Sequence, residues 1–247
     1  MFAAYTSNMD GTKRHQCLIY EGSPSKHLRS LAQVMVAKLQ ANNRCLYLNS
    51  PTMVAGTRSY LAAAGLDVAQ EVSKGSLVLS WDAGHLVDGR FEVSRMLGML
   101  SDSVNAALRD GYSGLWATGD MTWELGSKKN FEKLMEYEIG LEEMFRSHPA
   151  LSGVCQYHQE TLPEEALSVA LATHPAVYIN ATLARMNPFY SPTASPFVPE
   201  LSTASLNVRL DQLRLSADSS PENCLEVEAG GPNALTSALV DGSDHVR

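Results

Sequence analysis

Short, almost continuously apolar runs alternate along the chain with longer stretches in which apolar residues recur every three or four positions. Runs of this length, rich in Val, Leu, Ile and Tyr, are typical of strands that a parallel sheet buries on both faces. They predict six strands, at residues 15–21, 44–50, 76–82, 114–120, 151–157 and 176–180.

The longer stretches predict amphipathic helices between these strands. They cover residues 26–41, 52–64, 91–110, 128–146 and 163–173. In the first of them Leu28, Leu31 and Met35 fall on one helical face. Strands that alternate with helices in this way predict an α/β fold, with a mostly parallel central sheet and helices on both faces.

The composition changes after about residue 190, where SPTASPFVPELSTAS is rich in proline, serine and threonine. We therefore predict one folded domain over residues 13–190, followed over 191–247 by a Pro/Ser-rich linker and a mostly disordered acidic tail. The segment LNVRLDQLRL within this tail is amphipathic. We interpret it as a frayed linker, with docking or formation of a homodimer as the alternative.

Composition and charge exclude several classes of protein. No run of about 18 apolar residues is present, so no membrane-spanning segment is predicted. The first residues lack the basic start and apolar core of a signal peptide, which predicts a cytoplasmic location. A net charge of −8 without a basic cluster argues against direct nucleic-acid binding.

The cysteines form no C-x-x-C pair, and three of them are predicted to be buried as small hydrophobic residues: Cys17, Cys45 and Cys155.

The stretch LIYEGSPSKHLRS leads from the first strand into the first helix, where a phosphate-binding P-loop would lie. A P-loop reads G-x-x-x-x-G-K-[ST]. Counted from Gly22, the second glycine is replaced by His27, the lysine by Leu28 and the hydroxyl residue by Arg29. A plain strand–helix connection is the favoured interpretation. The alternative is ligand contact at the helix N-terminus, with Lys26 among the nearby basic residues.

Polar residues at the carboxyl ends of the strands are candidates for ligand binding, because open α/β sheets bind ligands there. Asp120 ends an apolar strand, in the place where a P-loop ATPase holds its magnesium-binding aspartate. Trp123 and Glu124 follow directly. We interpret Trp123 as a pocket wall or as a side chain folded over the core.

Glu138 is the second candidate, because it falls near the centre of the apolar face of helix 128–146. A carboxylate in that place needs a partner or a polar cavity, since burying it alone is costly. Such a group often has a functional role, and the alternative is a structural hydrogen bond or ion pair.

The third candidate combines Gln156 and Tyr157 at a strand end with His174, which precedes Pro175. His174 is interpreted first as a helix C-terminal cap. The histidines lack a tight spacing such as H-x-x-x-H, so no metal ligand is predicted. No G-x-S-x-G elbow or Cys–His pair in a familiar local context is present, so no catalytic residue is predicted.

Residues 13–190 resemble the MEDS domain, the methanogen/methylotroph DcmR sensory domain. The most specific pieces are GDMTWEL, the dipeptide Tyr137-Glu138, CQY and THP. The other matching pieces, in order, are HQCLIYE, CLYLN, AAGLDV, KGSLVLSW, DGRFEVSRMLGML, LPEEAL, AVYIN and NPFY.

The resemblance implies a sensory domain of prokaryotic signal transduction or transcription regulation, often joined to histidine kinase or DNA-binding parts. It also implies a degenerate relative of the RecA/KaiC-type ATPase fold, without a functional P-loop. We therefore expect a non-enzymatic domain without a cofactor, which binds a small organic ligand and acts on a histidine kinase or transcription regulator. The alternatives are a degenerate nucleotide-binding domain, with a weak ATPase activity, and an interaction module that regulates a kinase or sigma factor.

The predicted ligand-binding residues are Tyr20, Glu21, Lys26, His27, Asp120, Trp123, Glu124, Tyr137, Glu138, Gln156, Tyr157 and His174.

Overall fold

A computed structural model describes residues 14–23, 25–124, 131–179, 182–184, 189–190 and 203–216. Its main feature is a seven-stranded sheet in the order β3-β2-β6-β7-β1-β8-β9. The first six of these strands are parallel and β9 is antiparallel, while β4 and β5 form a separate hairpin. The strands are β1 (His15–Tyr20), β2 (Asn43–Leu48), β3 (Leu77–Ser80), β4 (Leu86–Val87), β5 (Arg90–Phe91), β6 (Gly114–Asp120), β7 (Leu151–His158), β8 (Ala176–Ile179) and β9 (Thr182–Ala184).

Helices cover both faces of this sheet and enclose two separate apolar cores. They are α1 (Ser25–Gln40), α2 (Pro51–Ala63), α3 (Val68–Ser73), α4 (Val93–Arg109), α5 (Met121–Glu124), α6 (Leu134–Ser147), α7 (Glu164–Thr173) and α8 (Thr203–Ser216). Helices α1 and α2 pack on one face, which we call the α1 face. Helices α4, α6, α7 and α8 pack on the other, which we call the α6 face. None of the described helices is long and apolar enough to cross a membrane.

The predicted α/β fold is confirmed, including all six predicted strands. The predicted helix 128–146 begins as an α-helix only at Leu134, after a 3-10 turn over Phe131–Lys133, and residues 128–130 lie outside the described part. The predicted helix 91–110 begins two residues late because Phe91 belongs to β5. The hairpin, α3 and α5 were not predicted, since two to six residues are too few to show a hydrophobic period.

The segment after residue 190 differs from its prediction where the structure describes it. Residues 203–216 form α8, which is not a frayed linker but packs against α7. Leu206, Leu210 and Leu213 are buried in the core of the α6 face. Their spacing of four and three residues makes one apolar stripe, which explains why the helix docks. The rest of the predicted linker and tail, 191–202 and 217–247, lies outside the described residues.

The direction in which the chain continues across the sheet reverses between the neighbouring strands β2 and β6. These strands are neighbours, but the chain leaves β2 towards β3 and leaves β6 the opposite way, towards β7. Ligands of open α/β sheets bind in the crevice at such a point. Asn49 follows β2 and Asp120 ends β6, so both polar residues lie at this crevice.

Candidate functional site

The polar residues of the sheet form two clusters on opposite faces. Because side chains alternate along a strand, consecutive residues of β7 belong to different faces. Gln156 and His158 point to the α1 face, while Cys155 and Tyr157 point to the α6 face. The carboxyl-end cluster, on the α1 face, consists of Tyr20, His27, Thr118, Asp120, Gln156 and His158. The Glu138 cluster, on the α6 face, consists of His15, Glu138, Glu142, Cys155, Tyr157 and His174.

Tyr20 and Asp120 form the centre of the carboxyl-end cluster. The Tyr20 hydroxyl donates to Oδ2 of Asp120 at 2.6 Å, and the backbone N–H of Thr122 donates to Oδ1 at 2.8 Å. Burial and the neighbouring Asp120 carboxylate both raise the pKa of Tyr20, so the phenol keeps its proton. Each Asp120 oxygen therefore already accepts a hydrogen bond from the protein.

His27 is held in one tautomer by a chain of hydrogen bonds. The Thr118 hydroxyl donates to the Val154 carbonyl at 2.6 Å and accepts from Nε2 of Gln156 at 2.8 Å. Oε1 of Gln156 thus faces Nε2 of His27 at 3.0 Å, and the imidazole must donate. Burial lowers the pKa of His27, so the ring is neutral and Nδ1 is an acceptor. This Nδ1 is buried and has no hydrogen-bond partner within the described part of the chain.

His158 ties the loop after β1 to strand β7. Its Nε2 donates to the Gly22 carbonyl at 2.9 Å, while Nδ1 pairs with the Thr161 hydroxyl at 2.8 Å. Its ring stacks on Tyr20 with centroids 4.8 Å apart. The two charged residues of the predicted loop site, Glu21 and Lys26, are exposed at the surface instead.

The segment after β6 lies beside the hairpin. Trp123 is half-buried, and its ring lies 5.2 Å from the ring of His85, which precedes β4. Tyr137 is buried and meets Phe91 of β5 edge to face at 5.0 Å. The side chain of Glu124 lies outside the described residues, as do Leu125 and the predicted strand end at Asn180.

Glu138 is fully buried, as its place on the apolar face of α6 predicts. Its Oε1 accepts a short hydrogen bond from the Tyr157 hydroxyl. Its Oε2 lies 3.5 Å from Nε2 of His15 and 3.5 Å from Nε2 of His174. The carboxylate therefore joins the first strand, the seventh strand and the end of α7.

The two histidines of this cluster differ in charge. Burial opposes protonation of His15, but its hydrogen bonds to Glu138 and Glu142 raise its pKa. Burial and the nearby His15 lower the pKa of His174 to about 4, so His174 is neutral. Burial would raise the pKa of Glu138, but the hydrogen bond and charge of His15 and the hydrogen bond from Tyr157 lower it. The Glu138 carboxylate therefore lies beside His15 and favours its protonated form.

Both imidazoles use Nδ1 for contacts that point away from Glu138. Nδ1 of His174 donates to the Ala170 carbonyl at 2.9 Å, which confirms the predicted role of His174 at the end of α7. Nδ1 of His15 lies 3.0 Å from Oε2 of Glu142, whose other oxygen accepts from the Tyr190 hydroxyl at 3.1 Å. Each Nε2 is thus directed towards Glu138.

A small apolar cavity borders the Glu138 cluster on the α6 face. Its volume is about 30 Å³, and it lies between β6, β7, α4 and α6. Cys155 belongs both to its wall and to the cluster. The other side chains of the wall are mostly aliphatic or aromatic, among them Met96, Leu100, Tyr137, Leu141 and Phe145.

The predicted site residues therefore do not come together in one place. The sheet separates Tyr20, His27, Asp120 and Gln156 from the second group, Glu138, Tyr157 and His174. Tyr137, Trp123, Glu21 and Lys26 belong to neither cluster. A single pocket between the loop, GDMTWEL and the Glu138 helix is thus not formed, because Glu138 points to the other face.

Sequence reasoning missed three members of the Glu138 cluster as functional candidates: His15, Glu142 and Cys155. Cys155 is buried as predicted, along with Cys17 and Cys45. Local spacing could not reveal the cluster, because its members come from β1, α6, β7 and the end of α7. The available signal was the alternation in β7, which puts Cys155 and Tyr157 on one face.

The fold and these buried polar clusters define an α/β domain of the kind that often binds small molecules. The sequence model of the family described as MEDS, the MEthanogen/methylotroph, DcmR Sensory domain, matches residues 14–175. The match covers more than half of the chain, so the chain belongs to the MEDS family, and this membership supports a sensory role. None of the curated proteins compared with the chain matches it. The relation to RecA/KaiC-type ATPases stays a prediction.

Proposed function

We propose that the chain is a non-enzymatic sensory domain that binds a small organic molecule at the carboxyl-end cluster. Membership of the MEDS family supports the sensory role. The position of the cluster, next to the crevice at β2 and β6, supports the choice of site.

The observation that carries this proposal is the buried Nδ1 of His27. It is an acceptor without a partner among the described residues, because Nε2 is committed to Gln156. Leaving a buried acceptor unsatisfied costs about 1–3 kcal/mol. A ligand with one hydroxyl or amine donor would remove this cost. The favoured ligand is therefore a small alcohol or amine.

Such a ligand would act by shifting the populations of two states of the domain. It shifts them only as far as its affinities for the two states differ. The loop after β1 is the element best placed to respond, because α1 begins directly after it and His27 is in the first turn. On its outer side, Glu21 lies 3.7 Å from Arg214 of α8. We propose that a histidine kinase or a transcription regulator binds the surface formed by this loop and α8.

Native mass spectrometry of the full chain, purified gently from its own cells, tests the proposal. We expect one small organic adduct per chain. A thermal-shift series with methanol, ethanol, methylamine and ethylamine then tests the ligand class, because a ligand at ten times its Kd adds about 1.4 kcal/mol of stability.

Two variants localise the site. His27→Phe keeps a ring but has no acceptor, and we expect it to lose the adduct and the thermal shift. His148→Phe, at the end of α6 and outside both clusters, is the matched control and is expected to keep both. Equal binding by His27→Phe and the wild type would contradict the proposal. A nucleotide adduct would instead favour the degenerate nucleotide-binding domain, and capture of a partner regardless of small molecules would favour the interaction module.

A further inference from the structure

Four buried side chains of the Glu138 cluster each place one potential metal-binding atom close to the other three. They are Nε2 of His15, a carboxylate oxygen of Glu138, Sγ of Cys155 and Nε2 of His174. These four atoms all lie within 4.8 Å of one another. Their side chains come from four different elements, and none is more than 8% exposed.

Two of the distances between these atoms match those of ligands that share one metal ion, and the Cys155 sulfur lies slightly farther out. Oε2 of Glu138 is 3.5 Å from each Nε2, and Sγ of Cys155 is 3.9 Å from Nε2 of His15. The two separations of 3.5 Å are at the upper end of the range for hydrogen bonds. A tetrahedral ion with nitrogen and oxygen at about 2.0–2.2 Å and sulfur at about 2.3 Å places its ligands about 3.3–3.7 Å apart.

The surrounding hydrogen bonds orient the same atoms. Histidines that bind metals usually donate their other ring N–H to a carboxylate or a backbone carbonyl. His15 does so to Glu142 and His174 does so to the Ala170 carbonyl. The Tyr157 hydroxyl occupies the other oxygen of Glu138. Each ligand is therefore already turned towards the common point.

We propose that His15, Glu138, Cys155 and His174 bind one divalent transition-metal ion, with Zn²⁺ as the first candidate. Two nitrogens, one oxygen and one sulfur in a tetrahedral arrangement suit Zn²⁺ better than Mg²⁺ or Ca²⁺, which prefer more oxygen ligands. The Cys155 thiolate and the Glu138 carboxylate balance the two positive charges, so the occupied site is neutral although it is buried. The ion enters at the Glu142 side, because that side chain is 26% exposed.

Zinc titration of the full chain tests this site. After dialysis against a chelator, isothermal titration with Zn²⁺ is expected to give one ion per chain. Titration with Co²⁺ is expected to give the visible absorption of a tetrahedral ion and a thiolate-to-metal charge-transfer band. These spectra report the geometry and the sulfur ligand independently of any sensory activity.

Variants separate this site from adventitious binding. Cys155→Ser is expected to lose the charge-transfer band, and His174→Gln the tetrahedral spectrum. Cys45→Ser is the matched control and is expected to keep both, because Cys45 lies on the α1 face. Glu142→Gln keeps all four ligands but removes the carboxylate partner of His15, so its affinity for Zn²⁺ is expected to fall about 10–100-fold.

Two results would overturn the proposal. The first is a folded metal-free chain, verified by circular dichroism, that binds neither Zn²⁺ nor Co²⁺. The second is binding that Cys155→Ser and His174→Gln leave unchanged. Neither result depends on the organic ligand, because both are measured in its absence.

Discussion

His27 shows how one buried side chain links the proposed binding site to stability. Its neutral form is fixed by burial and by donation to Gln156. The same hydrogen bonds that position the ring leave Nδ1 without a described partner. The residue therefore carries a cost in the folded chain that a ligand could relieve.

The lowered pKa of His27 predicts a pH dependence of stability. Below about pH 6.5, the ordinary pKa of histidine, the unfolded chain binds a proton that folded His27 does not bind. Stability contributed by the neutral ring is thus present above this pH and falls as the pH drops towards the folded pKa, by at most about 1.4 kcal/mol per pH unit. Urea unfolding between pH 7 and pH 5 is expected to show a steeper loss for the wild type than for His27→Gln. Parallel pH profiles would contradict this prediction.

At the scale of the elements, Gly153 permits the close pairing of β6 and β7. A Cβ at this position would clash with the carbonyl oxygen of Ala117 on β6. Since this neighbour is backbone, it cannot move aside as a flexible side chain could. The position also borders the cavity on the α6 face, so the glycine helps to define the wall beside Cys155.

Gly153→Ala is therefore expected to destabilise the domain by about 1–3 kcal/mol. Gly98→Ala is the matched control, because Gly98 lies in the exposed middle of α4 with no atom near its absent Cβ. Alanine there is expected to stabilise the helix by about 0.5–1 kcal/mol. Chemical unfolding measures the change in stability of both variants. Equal changes would show that the close contact between β6 and β7 does not determine the effect of Gly153→Ala.

The elements were largely predictable from the sequence, but the clusters were not. Continuous apolar runs identify the strands, and the apolar face around Glu138 predicts that its carboxylate is buried. The neighbours of Glu138 depend on the strand order, which places β1 between β7 and β8. Hydrophobic periodicity contains no information on strand order, so the approach of His15 to Glu138, 123 positions along the chain (138 − 15), could not be predicted.

At the scale of the whole molecule, α8 completes the core of the α6 face, although the family match ends at residue 175. Its leucines close the surface beside α7, and Arg214 reaches Gln159 at 3.2 Å. The end of the described chain is thus packed next to the loop that follows β7.

Leu210→Ala tests the contribution of α8 to the fold. Leu210 is fully buried, so removing its side chain is expected to cost about 2–5 kcal/mol. Val208→Ala on the same helix is the control, because Val208 is 55% exposed and its loss should change stability by less than about 0.5 kcal/mol. Urea unfolding, with proteolysis of α8 as a second readout, measures both. Equal stability of the two variants would show that α8 does not contribute to the folded core.

The alternation of β7 has a consequence for the molecule as a whole. Cys155 and Gln156 are bonded neighbours, yet one belongs to the proposed metal site and the other holds His27 on the opposite face. If both proposed sites are occupied, a displacement of this strand would change both at once and would give them a coupling free energy. Such coupling is reciprocal: if the metal ion changes the affinity for the organic ligand by some factor, the ligand changes the affinity for the metal by the same factor. The population of the two states of the domain would then depend on the metal ion and the organic ligand together, rather than on either one alone.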